Sequence, residues 1–173
     1  MLQLMGPLAL PLLLCSSLVL AILAERSWFF LASAPTAERL AERFTQLRPQ
    51  EAKDPGPVGE ALANLLLTQA EAQLTRFLPW LRILAAISPL LGLLGTVFGM
   101  MEAFETIAGQ DRPITPALVA EGISHALTTT AAGLIIAIPA LLGHSLFALK
   151  AQNRLKTATE ALTLSHHGLE VTL

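Results

Sequence analysis

Three long stretches of this chain carry no charged side chain. They cover residues 1–24 (24 residues), 83–101 (19 residues) and 122–149 (28 residues, interrupted only by His125 and His144). A bilayer core of about 30 Å needs about 20 helical residues. Each stretch therefore reads as a membrane-spanning helix, the second only just. Between the first and second, the pattern changes. Residues 36–47 read as a short amphipathic helix with Thr36 as its N-cap. The segment "RPQEAKDPGPVGE", residues 48–60, holds three prolines and two glycines and reads as a linker. Residues 58–77 are good helix formers. Leu67, Leu74, Leu78 and Leu81 fall at spacings of seven, four and three, which is one helical stripe. This helix is expected to run on into the second span, with Pro79 and Pro89 bending it rather than ending it.

The pattern predicts an all-α integral membrane protein with three transmembrane helices, the second and third extended into the cytoplasm. The expected segments are a first transmembrane helix over 1–30, a cytoplasmic helical segment over 31–80 and a second transmembrane helix over 81–105. An external loop over 106–120, a third transmembrane helix over 121–149 and a C-terminal helix or tail over 150–173 follow.

A secretory signal peptide competes for the first stretch, because Ala32, Ser33 and Ala34 resemble a small-residue cleavage site. No Lys or Arg precedes the apolar run, however, and the run exceeds a typical 7–15-residue signal core. Glu25 and Arg26 also separate it from the supposed site. A retained helix is the favoured reading.

Composition agrees. Hydrophobic residues make up 53% of the 173 and charged residues 14%, where a soluble domain carries about a quarter charged. A net charge of −2 gives no reason to expect nucleic-acid binding. The single cysteine, Cys15, sits in an apolar run and reads as an inert small hydrophobe. The sequence has no Cys/His cluster at metal-ligand spacing and no Walker-type loop. No metal or cofactor is expected.

Lys and Arg are unevenly placed. Arg26, Arg39, Arg43, Arg48, Lys53, Arg76 and Arg82 follow the first stretch, and Lys150, Arg154 and Lys156 follow the third. Only Arg112 lies between the second and third, so the ratio is ten to one. The positive-inside rule then places residues 31–80 and the C-terminus in the cytoplasm, with the N-terminus and the 106–120 loop outside. In a Gram-negative cell, outside is the periplasm.

Two rows of small residues carry the candidate chemistry. In the second span Ser88, Gly92, Gly95, Thr96, Gly99 and Ala103 share a face. In the third, Gly122, Ala126, Thr130, Gly133, Ala137, Ala140 and His144 step by four or three. One reading is helix packing, since small residues let helices approach closely in lipid, as Gly95-xxx-Gly99 would. The other is a partner helix or a pore, with hydroxyls holding water or a proton path. Thr128, Thr129 and Thr130 point around much of the third helix, and Thr128 suits a bond to its own backbone. His125 reads equally as an inert interfacial residue or as a proton relay. His144 reads as interfacial. Glu102, Glu105 and Glu121 flank the outer loop as solvated helix ends, and Glu102 and Glu121 are also candidates for a pore mouth.

The stretches "PLLGLLGTVFGMMEAF" and "GISHALTTTAAGLIIAIPALLGH" resemble the paired core motifs of the MotA/TolQ/ExbB proton-channel family, closest to its ExbB and TolQ branch. "ILAERSWFFL" resembles that branch's first helix. The resemblance implies an inner-membrane motor subunit. Five copies would surround two helices of an ExbD- or TolR-type single-span partner that carries a membrane aspartate, and motion would pass to a TonB-like protein or to the Tol system. Thr96 in "LLGTVFG" and Thr130 in "LTTTAAG" match the family's pore-lining threonines, and Thr129 adjoins them. His125 stands where ExbB and TolQ usually have a glutamate. Either it replaces that carboxylate or the position is dispensable, with Glu121 one turn away as a compensating group. Gly92, Gly95, Gly99, Ala126, Gly133 and Ala137 would face a packed or enclosed helix. The chain is too short for a flagellar stator.

Three function classes follow. The first is a compact ExbB-like proton-channel subunit that energises TonB-dependent transport, with TolQ-like envelope work as the alternative. The second is a non-conducting membrane assembly protein. The third, a membrane enzyme, finds no nucleophile–base pair or metal constellation to support it.

Overall fold

The computed structural model describes residues 8–32, 34–47, 56–109 and 116–166. Five helices account for nearly all of them, and the described residues contain no strand: α1 (Ala9–Ala32), α2 (Ala37–Leu47), α3 (Gly56–Thr75), α4 (Leu78–Ala108) and α5 (Pro116–His166). The protein is thus an all-α membrane protein. Three helical stretches, Ala9–Ala32, Val58–Ala108 and Ala126–Thr163, are long and apolar enough to cross a bilayer. At 1.5 Å per residue the 24-residue α1 extends about 36 Å.

The helix ends follow from local chemistry. Pro35 disfavours helix at the residue before it, and α1 stops at Ala32. Thr36 caps α2: its Oγ1 accepts from the Arg39 N–H at 3.5 Å, and its carbonyl accepts the Leu40 N–H at 3.2 Å. Glu38 in the first turn of α2 complements the helix dipole. The helix α3 begins at Gly56, inside the stretch expected to be linker; residues 48–55 of that stretch lie outside the described residues. Pro57 falls in its first turn, where a missing N–H costs nothing.

The expected continuous helix into the second span is interrupted. A turn at Arg76 and Phe77 separates α3 from α4. Pro79 has no N–H to offer the Thr75 carbonyl, so the ladder breaks there rather than bending. Pro89 does lie inside α4, and Pro139 inside α5. The helix α4 ends at Ala108 and α5 begins at Pro116, within the segment expected as a 106–120 loop; residues 110–115 lie outside the described residues.

The chain divides into two compact units. One comprises the described residues up to Glu25 together with residues 79–144. The other comprises the described residues of 26–78 and of 145–166.

In the second unit, α2 lays Leu40 and Phe44, one turn apart, into two small cores. Leu40 meets Ala70 and Ala158, with Leu67 and Leu155 beside them. Phe44 is fully buried with Leu66 and Leu162. Complete burial of one such aromatic stabilises by about 1.5–3 kcal/mol. Beside these cores lies a buried cation. Arg26 is only 2% exposed. Its Nη1 donates to the Gln73 carbonyl at 3.0 Å and to the Leu74 carbonyl at 3.4 Å. The last carbonyls of a helix lack partners of their own, and the guanidinium meets two of them at the end of α3. The rings of Phe29 and Phe77 lie 4.5 Å and 5.1 Å from its central carbon. Arg154 repeats the device on α1, donating from Nη2 to the Phe30 carbonyl at 3.0 Å, while the Phe30 ring stacks on Phe147 at 5.4 Å.

Replacing Arg26 tests this clamp. Arg26→Leu removes charged hydrogen bonds of about 1.5–3 kcal/mol and should lower the melting temperature of the detergent-purified protein by several degrees. Arg26→Lys keeps the charge without the fork and should recover less than half of the loss. A melting curve for Arg26→Leu identical to wild type would show that the carbonyl contacts contribute nothing.

Candidate functional site

The two small-residue rows meet each other inside the first unit. Their closeness is measured by what a side chain would strike. A Cβ placed on Gly133 would lie 2.5 Å from the Ser88 carbonyl oxygen and 3.2 Å from the Gly92 Cα. One on Gly92 would lie 2.9 Å from both the Thr129 carbonyl oxygen and the Thr130 Cα. At Gly95 it would meet Thr129 Oγ1 at 2.5 Å, and at Gly99 the Ala126 Cβ at 3.1 Å. The backbones of α4 and α5 therefore touch along this seam, an approach that only glycine permits.

The hydroxyls are tied into the same seam. Thr129 is 3% exposed; its Oγ1 donates to the Ala126 carbonyl at 2.6 Å, with the Gly92 carbonyl at 3.3 Å. Thr130 Oγ1 donates across to the Gly92 carbonyl at 3.0 Å. Thr96 is 8% exposed, and its Oγ1 donates back to the Leu93 carbonyl at 2.7 Å. Ser88 does the same to Leu84 at 2.7 Å, and Thr128 to Ser124 at 3.0 Å. Each of these hydroxyls thus has an acceptor, which the cost of an unpaired buried polar group demands. Interhelical hydrogen bonds of this kind contribute about 0.6 kcal/mol each in membranes, so the Thr130 bond orients more than it stabilises.

The sequence-predicted residues fall into three groups. Gly92, Gly95, Gly99, Ala126, Gly133, Thr96, Thr129 and Thr130 gather on the seam. Ala137 is buried in α5, one turn beyond Gly133. Glu102 is exposed near the end of α4, away from these contacts. The side chains of Glu121 and His125 and the surroundings of Gly122 lie outside the described residues.

One detail differs from the expected stripe. The buried row of α5 in this unit runs Ala126, Thr129, Gly133, Ala137, Ala140, Gly143. It passes through Thr129 rather than Thr130 and through Gly143 rather than His144, both of which the linear spacing also allowed. Thr130 is left half-buried at the edge of the seam. Ser88, which the sequence places on the same face, contributes its backbone carbonyl as the atom that meets Gly133. The opposite faces of both helices are apolar and exposed, with Leu90, Leu93 and Phe98 on α4 and Leu127, Ile135 and Ile138 on α5.

The model of the MotA/TolQ/ExbB proton channel family matches residues 32–160. Over 97% of its length the chain is 32% identical to the biopolymer transport protein exbB1 of Vibrio cholerae, covering 86% of that protein. It is 37% identical to the Tol-Pal system protein TolQ of Pseudomonas aeruginosa over 64% of this chain and 49% of that one. It is 48% identical to the biopolymer transport protein ExbB of Salmonella typhimurium over 69 residues, 40% of this chain and 28% of that one. The chain thus spans most of the first of these relatives and half or less of the other two.

The geometry ranks the glycines. Gly133→Ala meets a backbone oxygen that cannot turn aside, and should cost about 1–3 kcal/mol, read as a lower melting temperature in detergent. Gly99→Ala, facing a side-chain methyl at 3.1 Å, should cost less, and Gly99→Leu should disrupt assembly. Gly109→Ala, whose Cβ meets only its own helix at 3.5 Å, should be neutral. A neutral Gly133→Ala would contradict the close seam.

Proposed function

We infer the role of this chain from its family: it belongs to the MotA/TolQ/ExbB proton channel family and is a membrane protein of that transport class. The reading that the seam supports best is an ExbB-like subunit of the inner (cytoplasmic) membrane. In this reading several copies, five by resemblance to the family, surround the single-span helix of an ExbD- or TolR-type partner that bears a membrane aspartate. The proton motive force drives that assembly and energises a TonB-like protein for transport across the outer membrane. The N-terminus lies in the periplasm and the C-terminus in the cytoplasm, as the ten-to-one bias of Lys and Arg argues.

The observation that carries the reading is the half-exposure of Thr130 beside buried Thr96 and Thr129. The seam fixes where the Thr130 hydroxyl stands, and its lone pairs remain available to water or to a carboxylic acid on a neighbouring helix. The broad apolar faces of α4 and α5 suit lipid or further copies of the chain. The matches include both ExbB- and TolQ-named proteins, and the ExbB-like role is taken here as the primary reading with TolQ-like envelope work as its alternative. The internally bonded threonine hydroxyls favour the competing reading, a non-conducting assembly protein. His125 and Glu121 remain candidates for the relay and the pore mouth, together with Glu102.

Thr130→Val separates these readings. It keeps the size and should leave assembly intact while lowering proton flux through the co-purified complex at least tenfold. Undiminished flux at normal assembly would remove the polar-pore reading. A chain that never captures a single-span partner when the two are co-expressed would remove the motor reading altogether. Restoration of TonB-dependent uptake, rather than of envelope integrity, in strains lacking one or the other would distinguish the ExbB-like role from the TolQ-like one.

A further inference from the structure

We propose that the cleft between α2 and α3 binds a phosphate-bearing anion, gripped by Arg39 and Arg43 on one wall and Gln69 and Gln73 on the other. The cleft encloses about 120 Å³ and lies wholly within the second unit. A water occupies about 30 Å³ of liquid, so the space admits an anionic group with a partial hydration shell. Both pairs are spaced i, i+4, which sets each pair in one row along its helix. The lining thus carries two guanidinium charges, two amides and no carboxylate. Glu38, Glu42 and Glu71 lie on the same two helices and do not line it. Among the described residues neither the Arg39 nor the Arg43 guanidinium has a hydrogen-bond or ion-pair partner.

Two like charges one turn apart repel, and an anion held between them in the cleft offsets that repulsion beyond what Glu38 and Glu42, which lie outside the lining, supply. Guanidinium forks match the oxygens of a phosphate and donate in pairs. The amides donate without cancelling charge. The walls are firm. Leu40, Leu66 and Ala70 line the cleft and are buried in the two small cores, and the Gln73 backbone is held by Arg26. The same phosphate chemistry is offered by an anionic lipid headgroup and by free phosphate. Sequence proximity favours the lipid: Pro35, which lines the cleft, follows three residues after the end of α1, a helix long and apolar enough to cross a bilayer.

The test is native mass spectrometry of the delipidated full-length protein, titrated with phosphatidylglycerol, with phosphatidylcholine and with inorganic phosphate. Wild type should retain phosphatidylglycerol at least tenfold more tightly than R39Q/R43Q, and R39K/R43K should retain an intermediate amount. Both arginines are exposed, and R82Q, at an exposed arginine outside the cleft, should bind as wild type does. Preference for phosphatidylglycerol without competition from phosphate assigns the site to a lipid headgroup. Displacement by millimolar phosphate assigns it to a soluble anion. Equal lipid and phosphate binding by wild type and R39Q/R43Q, or an equal loss in R82Q, would overturn the site.

Discussion

Contact between two helix backbones governs the membrane part of this protein. Gly92 on α4 and Gly133 on α5 have no side chains, so carbonyl oxygens and α-carbons meet where other residues would hold the helices several ångströms apart. Lipid gives apolar side chains no reason to leave it, so association depends on close packing and on hydrogen bonds between the helices. The seam supplies both. Once glycine, alanine and threonine occupy it, leucine, isoleucine and phenylalanine must point outward. The same contact presents the Gly92 carbonyl to the Thr130 hydroxyl. Packing therefore sets the position of the one seam hydroxyl that remains partly exposed.

The second unit uses a different solution. Its elements are shorter and more polar, and apolar burial is divided between two small cores around Leu40 and Phe44. Arg26 and Arg154 add charged hydrogen bonds to backbone carbonyls at helix ends. Arg26 matters because α3 stops at Thr75, and the carbonyls of Gln73 and Leu74 in its last turn need donors. Arg26 is accordingly buried and engaged rather than a solvated loop charge. Setting it aside leaves nine basic residues against one in the topology argument, which keeps its direction.

The functional reading grows from these facts in order of scale. Family membership rests on the match over residues 32–160. Three helices suit a bilayer. Within them the seam leaves large apolar faces exposed, including Ile135 at 71% and Leu90 at 64%, and these require lipid or neighbouring subunits. A pore formed by such a chain would need more than one copy, since its own small-residue faces are spent on each other.

The sequence by itself determined the fold class, the number of spans and most of the small residues that meet on the seam. Uncharged runs of sufficient length have few alternatives to a spanning helix, and glycine at three- and four-residue spacing has a direct steric meaning. The cap at Thr36 was legible for the same reason, being local. What the tertiary structure decided was which neighbour each face meets. Periodicity put both Thr129 and Thr130 within reach of the stripe, and only the docking of α5 on α4 buried Thr129 and left Thr130 at the edge. The break after Thr75 was poorly legible because a proline in a membrane helix can bend it or end it, depending on what satisfies the freed carbonyls. Here the last-turn carbonyls of Gln73 and Leu74 take their donor from Arg26, 47 residues from Gln73 in sequence, and no local pattern connects the two.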